Sequence, residues 1–149
     1  MTIASRRRRK RVRLTRAADY GARGTLYLAR QPRDRVVLVG EIARAEGVPE
    51  SYLAKIFQSL ARAGLVRSHR GARGGFSLAR PAAEITLRQI IEAVEGPLSL
   101  NRCLDPREGC ECSPTCPMYA PLAAVQERLL AALDAITLDA MAAKESAAN

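Results

Sequence analysis

Cys103, Cys110, Cys112 and Cys116 are the four cysteines of the chain, and all fall within the fourteen residues C-L-D-P-R-E-G-C-E-C-S-P-T-C. Thiolates at this density either ligate soft metals and iron-sulfur clusters or act as a redox switch. Pro106, Gly109 and Pro114 interrupt the stretch, so no regular helix or strand runs through it. Its shape must be fixed by something other than a backbone ladder, and a bound metal centre would supply that. Zinc is the weaker metal reading, because gaps of six, one and three residues contain no C-x2-C pair. A thiol switch would pair Cys112 or Cys110 with a more distant cysteine. No acid/base pair, nucleophile elbow or phosphate loop argues for an enzyme, and G-A-R-G-G lacks the Lys-Ser/Thr of a nucleotide loop.

The elements around this loop must bring it to a partner. At 149 residues and 48% hydrophobic content the chain can build one domain's core, and its net charge of +9 points to a polyanion. With no apolar segment of membrane-spanning length, nucleic acid is the expected partner and a membrane is not. Arg6, Arg7, Arg8, Arg9, Lys10 and Arg11 carry much of the charge; without them 18 basic residues face 15 acidic ones, a balance of +3. Residues 1–11 read as a disordered basic arm, or as an upstream extension set by start-site choice at Val12. No apolar h-region follows, and clustered reduced thiols fit the cytoplasm.

Thr15 caps a first helix to about Arg30, with Ala18, Ala22, Leu26 and Ala29 on its apolar face. Asp19 and Arg23 lie one turn apart on it, an ordinary i, i+4 pair. After the β-branched run Val36 to Val39, two helical patterns flank Gly47-Val48-Pro49, which is helix-turn-helix punctuation. The second helix buries Leu53, Ile56, Phe57 and Leu60. Its other stripe carries Ser51, Lys55, Gln58 and Arg62, with Tyr52 beside them, where a recognition helix meets base edges and phosphates. Leu65 to Arg70 and Phe76 to Arg80 read as strands of a hairpin whose tip bears Arg70 and Arg73, side chains suited to a minor groove. His69, at the base of this wing, fits a phosphate contact or a solvent-exposed position better than metal ligation.

Thr86 and Gln89 form a capping box for a helix through about Glu95, with Leu87, Ile90, Ile91 and Val94 inward and Gly96-Pro97 as its stop. Beyond the cysteines, Leu122, Val125, Leu129, Ala132 and Ile136, widened by Leu130 and Leu133, give a helix more apolar face than a surface helix needs. Dimerisation is its natural use. A capped last turn from Thr137 to Ala143 follows. The expected fold is mainly α with a small β-wing. A winged helix-turn-helix domain occupies residues 12–96, a cysteine-rich cluster-binding loop 97–119, a long dimerisation helix and last turn 120–143, and a tail 144–149.

The motifs V-R-L-T-R-A-A-D-Y-G, S-Y-L-A-K-I-F-Q-S-L and R-G-A-R-G-G-F-S-L-A-R, followed by a cysteine loop and a long helix, occur in that order. The chain thereby resembles the Rrf-two family of dimeric bacterial winged-helix transcription regulators, with iron-sulfur members of IscR and NsrR type. The resemblance covers residues 12–143. It implies a homodimer on a two-fold-related double-stranded DNA operator, and an iron-sulfur cluster held by Cys103, Cys110 and Cys116, with Cys112 as alternative ligand or neighbouring thiol. IscR-like members supply a histidine three residues after the last cysteine, where this chain has Tyr119, so a 2Fe-2S cluster is disfavoured. NsrR-like members recruit an aspartate from the partner's first helix to a 4Fe-4S cluster, and Asp19 occupies the matching place. The resemblance thus implies a regulator, most often a repressor, that senses nitric oxide, redox or iron status through a labile cluster.

Overall fold

Thr15 opens the first helix by accepting a hydrogen bond from the Ala18 N–H at 3.2 Å, and α1 runs Arg16–Ala29. The structure, a computed structural model, describes residues 13–111 and 115–146. The basic arm, Cys112 and the last three residues of the tail lie outside the described residues.

The buried face of α1 keeps Ala18 from the expected stripe but is centred to one side of it. Ala18, Gly21, Gly24, Thr25 and Leu28 point inward, while Ala22, Leu26 and Ala29 are half-buried. The cause is close approach: a β-carbon at Gly24 would stand 2.6 Å from Phe57 Cε2, and one at Gly21 would stand 3.2 Å from Val94 Cγ2. Thr25 is tolerated inside because its hydroxyl donates to the Gly21 and Ala22 carbonyls, each at 3.0 Å.

Helices α2 (Val39–Glu46) and α3 (Glu50–Arg62) form the helix-turn-helix pair. Gly47 sits between them at φ 64°, the left-handed region that ends a helix, and the Val48 N–H bonds back to the Ala43 carbonyl at 2.9 Å. Leu53, Ile56, Phe57 and Leu60 of α3 are buried as the spacing predicts. Each such side chain contributes about 1.5–3 kcal/mol of burial. Arg23 ties α1 to α2 through Glu46 Oε2 at 3.0 Å.

Strands β1 (Val66–His69) and β2 (Gly75–Leu78) pair antiparallel, Val66 opposite Leu78 and His69 opposite Gly75. Val37 adds an isolated bridge to Phe76, with hydrogen bonds of 2.9 and 2.8 Å, which ties the segment before α2 to the two-stranded wing. Gly75 has to be glycine, because a β-carbon there would run into the Val37 carbonyl. Phe76 closes the wing onto the core by meeting Phe57 edge-on, centroids 4.9 Å apart.

Helix α4 (Leu87–Glu95) starts at the expected capping box and ends at Gly96; Ile90 and Ile91 are buried, Leu87 and Val94 half-buried. The cysteine loop follows with one 3-10 turn, Arg102–Leu104. Helix α5 (Tyr119–Asp134) ends earlier than the apolar stripe suggested, leaving Ile136 in a connection whose carbonyl accepts from the Leu87 N–H at 2.8 Å. In place of a single last turn, α6 spans Leu138–Ser146. It packs on α1, with Leu138 fully buried and its N–H on the Ile85 carbonyl at 2.8 Å. No residue of α5 is buried, and Val125 and Leu129 are 54% and 39% exposed.

Candidate metal centre and nucleic-acid interface

Cys103, Cys110 and Cys116 line one open cavity of about 780 Å³, together with Asn101, Glu108 and Met118. Cys103 is carried by the 3-10 turn and is half-buried, with Asn101 Nδ2 3.7 Å from its sulfur. Cys110 is exposed at the far side of the loop. Cys116 is half-buried just ahead of α5, its carbonyl accepting from the Tyr119 N–H at 3.1 Å. Tyr119, in place of an imidazole, borders a second cavity of about 450 Å³ on the other side of Cys103, with Leu104, Ala123 and Leu130.

The loop is braced by a pair the sequence reading missed. Asp105, only 7% exposed, accepts from the Arg107 backbone N–H at 2.8 Å and from its guanidinium at 3.0 and 2.8 Å. The Ser99 hydroxyl adds a longer contact at 3.4 Å. Held by the Arg107 guanidinium first and its N–H second, the Asp105 carboxyl is pulled down to a pKa of about 2. The same pairing raises Arg107 above its ordinary value. Arg107 also covers Gly96, where a β-carbon would stand 2.7 Å from its Nη1, so the loop is fastened to the end of α4. The Asp-Pro-Arg triplet was the available signal, since an acid followed by proline and a cation favours such a turn.

Three soft donors around one cavity suit an iron-sulfur cluster, in which each thiolate goes to a different iron. They do not converge as a single ion requires: among the described residues, no three His, Cys, Asp or Glu side chains meet at one metal position. Asp19 does not line this cavity. Its carboxylate, on the first turn of α1, is 55% exposed and 3.8 Å from Arg23, which is turned toward Glu46.

Ser51, Tyr52, Lys55, Gln58 and Arg62 are all exposed on α3, opposite its core face. Tyr52 rests edge-on against Tyr20, centroids 5.8 Å apart, and Arg62 donates to the Ser59 hydroxyl at 3.0 Å. Arg70 and Arg73 are exposed in the hairpin. His69 differs from expectation: it is half-buried, its Nε2 2.8 Å from Ser77 Oγ across the wing, so it links the two strands. The polar surface is thus one helix face and one hairpin tip, the arrangement with which winged helices approach a duplex.

Residues 14–144 match the family Rrf2, described as iron-dependent transcriptional regulator. The chain belongs to that family, and it is a winged-helix transcriptional regulator; the family's members are not enzymes. Among solved structures it is similar to IscR of T. potens, at 28% identity over 93% of this chain and 91% of that one, TM-score 0.73. It is also similar to CymR (YrzC), the global cysteine regulator of B. subtilis, at 29% identity over 90% and 98% of the two chains, TM-score 0.68. The oxidized form of Staphylococcus aureus CymR matches at 26% identity over 87% and 95%, TM-score 0.66. No helix among the described residues is long and apolar enough to cross a membrane.

Proposed function

We propose that this regulator is a homodimeric repressor whose DNA affinity depends on an iron-sulfur cluster, 4Fe-4S in preference to 2Fe-2S, with nitric oxide as the favoured signal ahead of redox or iron status. The observation that carries this reading is the meeting of Cys103, Cys110 and Cys116 on one cavity next to α5. These three would hold the cluster, with Asp19 of the partner subunit as fourth ligand and Cys112 as substitute or reserve thiol. When bound, the cluster supplies redox-active iron with one corner held by a hard carboxylate that exchanges more readily than thiolate. The exposure of Asp19 supports its availability to a second subunit. The exposed apolar face of α5 supports a helix-mediated dimer.

Ser51, Tyr52, Lys55, Gln58 and Arg62 of each subunit then read a half-site, Arg70 and Arg73 follow the adjacent groove, and the two heads span about one helical turn. Asp19 and Gly24 share α1, and Gly24 is in close contact with Phe57 of α3. A tether on Asp19 therefore bears on the position of the reading head. The test is to select duplexes from a random pool with cluster-loaded protein, then measure their affinity for loaded and cluster-free dimer at one salt concentration. A difference of about tenfold or more, equal to about 1.4 kcal/mol, is expected; equal affinities would rule the reading out. The likeness to oxidized CymR favours one alternative, a thiol switch without a cluster, in which Cys110 or Cys112 pairs with a more distant cysteine.

A further inference from the structure

Tyr52 is an aromatic arm in the first turn of α3, 40% exposed on the face turned away from the core. A tyrosine on an open helix surface has two accessible χ1 rotamers, which send its hydroxyl to different places. Here the arm is buttressed. The Tyr20 ring of α1 meets it edge-on, with centroids 5.8 Å apart and planes at 83°, a geometry that aromatic pairs prefer. Neither hydroxyl has a hydrogen-bond partner among the described residues, so no polar contact orients either ring.

Tyr20 is itself firmly held. It is half-buried and packed against the core. One turn further along α1, Gly24 stands at glycine distance from Phe57 and Leu53, and Gly21 sets the backbone against Ile56. These contacts fix how α1 crosses α3, because a close-packed core leaves no room for sliding. The reach from the Tyr20 backbone to Tyr52 is thereby set by the core, and the Tyr20 ring spans it.

We infer that Tyr20 is a positioning residue for duplex recognition: its ring holds Tyr52 in the rotamer that meets the DNA, and it makes no contact of its own with the duplex. The inference rests on the reading of Tyr52 as a duplex contact. A side chain already ordered gives up less freedom on binding, so the pair acts by preorganisation. Ordering one such side chain only at the moment of binding costs about two- to tenfold in affinity. Because Tyr20 follows Asp19 on α1, a shift of that turn carries Tyr52 with it.

The experiment uses the full chain, with iron and sulfide content matched between variants, and a duplex selected with the parent protein. Its affinity is measured at one salt concentration for the parent, Tyr20→Phe, Tyr20→Leu, Tyr52→Ala and the double variant Tyr20→Leu/Tyr52→Ala. Leucine keeps apolar bulk at this half-buried position, and Tyr20→Met replaces it if circular dichroism shows a disturbed fold. Tyr20→Leu is expected to bind about two- to tenfold more weakly, whereas Tyr20→Phe, which keeps the ring, binds like the parent. In the Tyr52→Ala background the leucine substitution should cost nothing further, which a merely structural role for Tyr20 would not produce. Unchanged affinity in Tyr20→Leu, a loss as large in Tyr20→Phe, or an equal loss with and without the Tyr52 ring overturns the inference and leaves Tyr52 as a duplex contact. Tyr52→Ala binding as tightly as the parent overturns both together.

Discussion

Replacing Gly24 by alanine tests whether α1 and the recognition helix are held at glycine distance. The added methyl would stand 2.6 Å from Phe57 Cε2, 3.0 Å from Cζ and 3.6 Å from Leu53 Cδ1. Carbons in contact prefer about 3.5–4.0 Å, so ring or helix must give by about 1 Å. Phe57 has no free direction, being fully buried with its ring against Phe76. Overpacking of this kind costs about 1–3 kcal/mol. Alanine's better helix propensity returns about 0.5–1 kcal/mol. A net loss of about 1–2 kcal/mol remains, a fall of about 2–8 °C in Tm for a chain of this size. Urea unfolding at fixed protein concentration, with the slope compared between variants, reads it directly. Gly21→Ala is the internal control, since its methyl would meet Val94 Cγ2 and Ile56 Cγ2 at 3.2 and 3.3 Å and needs far smaller shifts. A Gly24→Ala protein as stable as its parent would refute the packing argument.

Thr86→Ala removes a cap whose hydroxyl accepts from the Gln89 N–H at 3.2 Å, and a loss of about 1 kcal/mol in urea unfolding is expected; an unchanged midpoint contradicts the capping role. Arg107→Ala strips Asp105 of its guanidinium partner, so cleavage by a Glu-specific protease at Glu108 and Glu111 should quicken several-fold while the Tm of the body holds; equal cleavage rates would mean that the pair does not brace the loop. Lys55→Ala, at an exposed position on α3, should weaken binding to a selected duplex by about tenfold or more with the fold intact, since a good base contact is worth about 1–3 kcal/mol. Equal affinity in mutant and parent would count against placing α3 in the groove.

What was legible in the chain follows from which residues carry a signal of their own. Leu53, Ile56, Phe57 and Leu60 repeat at helical spacing and are all buried, and Thr86 with Gln89 announces a helix start that the structure has in full. The face of α1 was read only in part: apolar periodicity picks out Ala18, which is fully buried, and Ala22, Leu26 and Ala29, which are half-buried against the core, whereas Gly21 and Gly24 have no hydrophobic side chain to register and Thr25 hides its hydroxyl locally. Ile136 read as the end of the α5 stripe, yet that helix stops at Asp134, and Leu138, in what read as a capped last turn, goes into the core with its N–H on the Ile85 carbonyl. At the site, the thiols are conspicuous by type and spacing. Asp105 and Arg107, two residues apart, follow no helical or strand repeat, so only their turn chemistry could have drawn notice. The meeting of Tyr20 with Tyr52 depends on how α1 crosses α3 and is invisible to any linear pattern.

The most direct test of the central claim is anaerobic purification followed by absorption spectroscopy, iron and sulfide quantification and native mass spectrometry, on the parent chain and Asp19→Ala. The account predicts a coloured parent with about four irons and four sulfides per subunit, and a variant in which that content is labile. A colourless protein without sulfide, even after anaerobic reconstitution, would contradict it and leave the loop as a thiol or zinc site on a DNA-binding regulator.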